Sequence, residues 1–218
     1  MRGKLVEQDP NDGPASVLLE KIKAEKAELV KEKKIKRSKP LPPITDDEKP
    51  FDIPDTWEWV RCNEITDIGN FKSLIPEKIP EGIPLIELAD IESKTGKLIN
   101  EELTVLKNIK SNKYIYNKGT VLFAKLRPYL KKILIAPNDG VCTTELLPIN
   151  AISFDNKFLY YTFLSDEFFN QIKREMHGIN LPRVSPKKIS ELLIPFPPLR
   201  EQIKISSRLD NIFKIFSR

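Results

Sequence analysis

The sequence has one histidine and two cysteines among its 218 residues. Cys62 and Cys142 stand in separate strand-like segments and His177 stands alone, so neither a disulfide framework nor a Cys/His zinc site has enough members. A buried structural thiol is the plain expectation for each cysteine. Long apolar runs are missing too. The longest, such as Val121 to Ala124 and Ile133 to Ala136, fall far short of the ~20 residues that span a bilayer, and the opening MRGKLVEQDP has no apolar signal core. A soluble, cytoplasmic protein is expected. No GxxxxGKS/T or GxGxxG phosphate loop and no Gly-x-Ser-x-Gly elbow occurs, which leaves nucleotide hydrolysis and serine chemistry without a seat. No cofactor is expected.

What is present is a chain with 40% hydrophobic and 31% charged residues, enough to bury one ordinary core. Its net charge of +5 is spread thinly: residues 1–52 carry twelve Lys/Arg against eleven Asp/Glu, residues 53–199 nineteen against eighteen, and residues 200–218 five against two. Average basicity therefore says little about partners. Local patterning says more. Between Leu103 and Asn138 there is no acidic residue, while Lys107, Lys110, Lys113, Lys118, Lys125, Arg127, Lys131 and Lys132 fall in the window. Such a face suits phosphate backbones, or equally a sheet edge guarded by lysines.

Three stretches follow one another. Asp12-Gly13-Pro14 opens a helix in which Leu18, Leu19, Ile22, Leu29 and Val30 recur at helical spacing, a stripe too thin to stand without a partner. Lys31 to Lys39, three prolines and Asp46-Asp47-Glu48 then form an extended, exposed connector, which puts a domain boundary near residue 52.

From Ile53 short strands are expected at 57–62, 65–69, 84–89, 120–125, 130–136, 141–143 and 146–149, punctuated by Gly69, Gly82, Gly96, Gly119 and Gly140. Helices should open at Asp155, at Ser165 and at Ser185-Pro186, with a strand over 192–196. This is an α+β domain over residues 53–198, built on a twisted mixed or antiparallel sheet. After Pro197-Pro198, Ile205, Leu209, Ile212 and Phe216 recur at spacings of 4, 3 and 4, the seam of a coiled coil or the buried stripe of a core helix.

The candidate site residues are polar groups on loops. Lys125, Arg127, Tyr129, Lys131 and Lys132 should share the rim of a hairpin turned at Pro128. Arginine can grip guanine or phosphate bidentately, lysine adds backbone affinity, and tyrosine offers a hydroxyl and a stacking face. Asn70, Lys72 and Ser73 after the Gly69 turn, Thr143 with Thr144, and His177, Asn180 and Arg183 in the loop HGINLPR complete the set. One enzymatic arrangement competes with this reading: Glu92-Ser93-Lys94 with Asp67 or Asp90 supplies the carboxylates and lysine of a metal-dependent nuclease.

Four segments carry a family resemblance: DPNDGPASVLLEKIKAEKAELVKEKKIK, IPDTWEWVRCNEI, GTVLFAKLRPYLKKILIAPNDG and LLIPFPPLREQIKI. In this order they resemble the specificity subunits of type I restriction-modification enzymes. The resemblance implies a cofactor-free reader of double-stranded DNA, in which each of two target-recognition domains reads half of a bipartite site. Conserved spacer helices there dock methyltransferase subunits and, through them, restriction subunits. Here the resemblance covers the end of a central spacer helix (MRGKLVEQDP), one recognition domain, and the opening of the next helix from residue 199. That suggests a half-subunit pairing as a homodimer, or an assembly-only or silent recombination fragment.

Overall fold

The computed structural model describes residues 2–99, 109–175 and 181–216. A one-turn 3-10 helix, Pro10–Asp12, precedes the arm helix α1 (Ala15–Lys31). Next come β1 (Glu58–Arg61), the single-turn α2 (Cys62–Ile65), β2 (Ser73–Leu74), β3 (Leu85–Ile86), β4 (Lys113–Tyr116) and β5 (Val121–Ala124). β6 (Ile133–Ile135), β7 (Gly140–Thr143) and β8 (Leu146–Ile149) follow. α3 (Asn156–Leu164), α4 (Asp166–Glu175) and α5 (Pro186–Glu191) lead to β9 (Leu193–Phe196) and α6 (Leu199–Phe216). The fold is α+β, as expected.

Three small sheets carry it: an antiparallel β1-β9 ribbon, a mixed sheet ordered β2-β4-β7-β3, and an antiparallel sheet ordered β6-β5-β8. In the mixed sheet only the β3-β7 pair runs parallel. β5 and β8 are apolar throughout because their sheet lies between two cores. Val121 and Phe123 face the larger core, Leu122 and Ala124 the smaller, in the two-residue period of a strand. On the larger side Phe123, Phe163 and Phe168 meet with ring centroids 4.8 to 6.4 Å apart. On the smaller side Ile86, Ile91, Leu134, Cys142 and Leu146 fill the gap to the mixed sheet.

The helix starts follow the expected chemistry. Asp155 accepts from the Lys157 amide to cap α3, and Ser185 accepts from Lys188 to cap α5 with Pro186 in its first turn. Two expectations fail. Residues 62–65 form a helical turn rather than opening a strand over 65–69, and only the isolated Thr66–Ala151 bridge follows. The stretch 2–9 forms no helix, although it resembles the end of one.

The arm helix finds its partner within the chain. Ala15, Leu18 and Ile22 are buried in the same core as Trp57, Ile65 and Ile194. The connector is pinned as well. Arg61, only 8% exposed, directs its guanidinium to the Glu48 carboxylate (2.9 and 3.0 Å), to the Pro42 carbonyl and to the Glu191 carbonyl. Glu48 in turn accepts from the Thr45 amide, closing the Asp46–Glu48 turn.

Of the supposed seam, Ile205 is 1% exposed and Leu209 packs on the larger core, so these two belong to this domain's interior. Ile212 is half-buried, and the side chain of Phe216 lies outside the described residues. The same helix holds the N-terminal segment. Glu201 accepts from Gln8 (2.6 Å) and from the Trp57 indole (2.9 Å), and Lys204 reaches Asp12 (2.8 Å) and Asp9 (3.5 Å).

Candidate nucleic-acid interface

The β5–β6 connection is the centre of the site. Pro128–Leu130 forms a 3-10 turn with Pro128 buried, and the residues bracketing it are both left-handed: Arg127 at φ 49, ψ 54 and Lys131 at φ 47, ψ 45. Two such residues within five reverse the chain sharply, so neighbouring side chains leave the turn in different directions. Left-handed backbone at a residue with a Cβ costs about 1–2 kcal/mol, an outlay met only where surrounding bonds impose it. Here the Arg127 amide donates to the Pro182 carbonyl (2.8 Å) and the Leu130 amide to the Arg127 carbonyl (3.0 Å).

Those bonds bring distant segments together. Leu126 bridges Arg183, the Val184 amide donates to the Lys125 carbonyl (3.1 Å), and the Lys125 amide donates to the Glu145 carbonyl (3.0 Å). Lys125, Arg127, Tyr129, Thr143, Thr144 and Arg183 therefore gather where β5, the β7–β8 turn and the 181–184 segment meet. Arg127 and Arg183 are exposed, and Tyr129 is 42% exposed. Arg183 Nε lies 3.5 Å from Glu145 Oε2, a buried carboxylate oxygen that accepts no hydrogen bond. Glu145 is absent from the residues expected on sequence grounds. The sequence carried no signal for it, because no basic residue lies near Glu145 in the chain and only the fold brings Arg183 beside it.

The expected rim also loses members. Lys131 turns inward: its Nζ donates to the Leu164 carbonyl (3.1 Å) and Asp166 (2.6 Å) and lies 5.1 Å from the centroid of the Phe169 ring. Lys132 is half-buried and donates to the Leu88 carbonyl at 2.7 Å. Lys113, counted in the acid-free face, is buried with Nζ on Ser111. All three ammonium groups are spent on contacts within the chain. Asn70, Lys72 and Ser73 sit elsewhere, at the Gly69 turn and on β2, with the Asn70 side chain bonded to the Lys36 amide and the Asp67 carbonyl. His177 and Asn180 lie outside the described residues.

The carboxylates of the nuclease arrangement have separate local duties. Asp67 accepts from the Asn150 backbone and side-chain nitrogens, Asp90 from the Glu87 amide, and Glu92 from the Thr95 hydroxyl. Burial raises the Asp67 carboxyl above its ordinary value against those stabilising bonds. No group of three His, Cys, Asp or Glu suited to a metal occurs among the described residues. Burial pushes both thiols up to about 12, so neither cysteine is a nucleophile near neutral pH. Among the described residues no helix is long and apolar enough to cross a membrane.

Fold and rim together define a class: an α+β domain presenting cations, hydroxyls and one aromatic ring at its loop ends. The chain belongs to the type I restriction modification DNA specificity domain family, whose model matches residues 54–217. It is similar to the EcoAI specificity subunit of Escherichia coli, 38% identical over 99% of this chain and 38% of that protein. The EcoEI specificity subunit of the same species is 35% identical over 94% of this chain and 36% of its own. The chain thus spans little more than a third of the length of these relatives. Among solved structures, the HsdS subunit from Thermoanaerobacter tengcongensis matches with a TM-score of 0.65 and 26% identity, over 78% of this chain and 45% of that one. A structure of a type I restriction-modification system, described for its complex assembly and conformational transition, matches at TM-score 0.66 and 28% identity, over 76% of this chain and 44% of that one.

Proposed function

We propose that this chain reads sequence in double-stranded DNA, recognising one half of a bipartite target and contributing no chemistry of its own. The convergence of Lys125, Arg127, Tyr129, Thr143, Thr144 and Arg183 from three chain segments carries this reading. Arginine, threonine and tyrosine are suited to base edges in a major groove, where all four base pairs differ, and lysine to the flanking phosphates. Methyl transfer and cleavage would reside in methyltransferase and restriction subunits, with α6 and the N-terminal segment facing those partners or a second copy of this chain. Localisation in the cytoplasm follows from that role.

Selection from a random duplex pool at low salt tests it. The wild-type chain is expected to enrich one short motif, and Arg127→Ala to lose about 1–3 kcal/mol and relax preference at one position. No enrichment by the wild type refutes the reading. Equal loss on every duplex would move Arg127 to the phosphates. In cells, a bipartite methylated motif with symmetric halves appearing with this reading frame supports a paired half-reader; an asymmetric motif points to pairing with another domain.

A further inference from the structure

The basic run Lys31 to Lys39 has a definite shape. α1 ends in a Schellman-type turn: the Lys33 amide donates to the Val30 carbonyl (3.0 Å) and the Lys34 amide to the Leu29 carbonyl (2.9 Å). Leu29 and Ile35, on either side of the turn, pack against the larger core. The left-handed position of this motif favours glycine, yet it holds Lys33, at φ 59. A lysine kept where its Cβ is disfavoured points to a use for its charge. The Glu28 carbonyl is also taken, by the Glu32 amide at 2.8 Å.

The next amide fixes where the run goes. Lys36 N donates to Asn70 Oδ1 at 2.6 Å, while Asn70 Nδ2 holds the Asp67 carbonyl at 2.9 Å. Residues 33–37 are thereby drawn against the Gly69 turn and the start of β2, beside Lys72. Lys33, Lys36, Arg37 and Lys72 are all exposed. Lys31 and Lys34 pair with Glu28 and Glu32, whereas these four make no ion pair among the described residues. The patch is also displaced from the base-reading rim. Asp67 is bonded to Asn150, at the end of β8 away from the Thr144-Glu145 turn. A strand of that length separates the two ends by roughly 15 Å, about four phosphate spacings along a DNA strand.

We propose that Lys33, Lys36, Arg37 and Lys72 form a second DNA contact, a clamp for the phosphate backbone that flanks the rim and holds duplex without reading its sequence. It rests on the DNA-reading function proposed above. The run is held by backbone bonds on both sides of Lys33 and at Lys36, so binding orders side chains and not the chain itself.

The test is a salt titration of the full-length chain on a mixed-sequence DNA duplex and on the duplex it selects. The combined variant Lys33→Gln, Lys36→Gln, Arg37→Gln and Lys72→Gln is expected to bind both duplexes more weakly by the same factor. The slope of log affinity against log salt should become shallower by about 0.9 for each phosphate no longer neutralised. Lys33→Gly, which relieves the backbone, should keep or raise the unfolding temperature and still weaken binding, separating the charge from the fold. An unchanged slope and affinity would overturn the clamp and make the run a solvated helix end. Unchanged DNA binding with loss of a salt-sensitive protein partner would overturn it in favour of a docking face. If the wild type selects a motif but the slope does not move, the clamp fails and the reading stands. Salt-dependent binding that loses its slope in the variant, with no motif selected, supports the clamp and sinks the reading.

Discussion

Replacing Lys131 with methionine separates fold from function at the turn where both were expected. The change keeps the apolar stem and removes the ammonium. That ammonium is bonded to the Leu164 carbonyl at 3.1 Å and to Asp166 at 2.6 Å, it lies 5.1 Å from the Phe169 ring centroid, and the side chain is 15% exposed. A hydrogen bond from a charged donor to a half-buried carbonyl is worth about 1.5–3 kcal/mol. The Asp166 carboxylate, 86% exposed, adds about 0–1 kcal/mol after screening, and the cation over the ring about 0.5–1 kcal/mol. Methionine returns roughly 0.3–1.5 kcal/mol through its own contact with Phe169. The net loss is about 2–3 kcal/mol, which for a domain of this size lowers the midpoint of thermal unfolding by about 5–10 °C. Circular dichroism melts read that shift, and DNA affinity measured well below the transition should change less than about twofold. The bond to Lys131 holds Asp166 below its ordinary 3.8, so its share of the stability is present above that value and fades as pH falls through the lower folded one. An unchanged melt accompanied by a large loss of DNA affinity would refute the reasoning, because it would put the ammonium on the nucleic acid.

Two further changes probe other parts of the fold. Gly96→Ala should destabilise by about 2–4 kcal/mol in a denaturant titration, since Gly96 has φ +65 and a Cβ there would overlap the Ile133 carbonyl oxygen and the Tyr160 hydroxyl; a neutral effect would mean that the Glu92–Lys97 turn is not seated on β6. Burial raises Glu201 above its ordinary 4.5, only partly countered by the Trp57 and Gln8 hydrogen bonds, so the folded state gives up stability as pH rises from that value through the raised one. Glu201→Gln cannot ionise, and its melting temperature relative to wild type should therefore climb as pH rises from about 4.5 through the raised value. A pH-independent difference contradicts the shift.

The elements legible in the sequence were those whose own residues decide them. β7 and β8 lie where Val141–Thr143 and Leu146–Ile149 were expected, because two apolar runs around Thr144-Glu145 leave few alternatives. Asp155 and Ser185 announced α3 and α5 as caps do. β4 was missed because Lys113-Tyr114-Ile115-Tyr116 looks like part of a lysine-rich loop and becomes a strand only by pairing with β7 on one side and β2 on the other. The rim was legible by residue type and not by direction. Nothing in LRPYLKK shows that Arg127 and Lys131 adopt left-handed backbone, and that geometry leaves Arg127 exposed while Lys131 turns inward. The spacing of Ile205 and Leu209 was likewise right, but spacing cannot tell a seam between chains from a stripe against one's own core.

The clasp between the N-terminal segment and α6 has a mechanical meaning. Gln8 and Glu201 are 193 positions apart in sequence and touch through one hydrogen bond, reinforced by Lys204 on Asp9 and Asp12. Tension applied along the chain from residue 8 to residue 201 would load this short lateral junction first. The sheets between them would be shielded until it parted. The first resistance to such a pull is thus set by a few polar contacts outside the strands, and stretching should show an early, small rupture before the domain itself unravels.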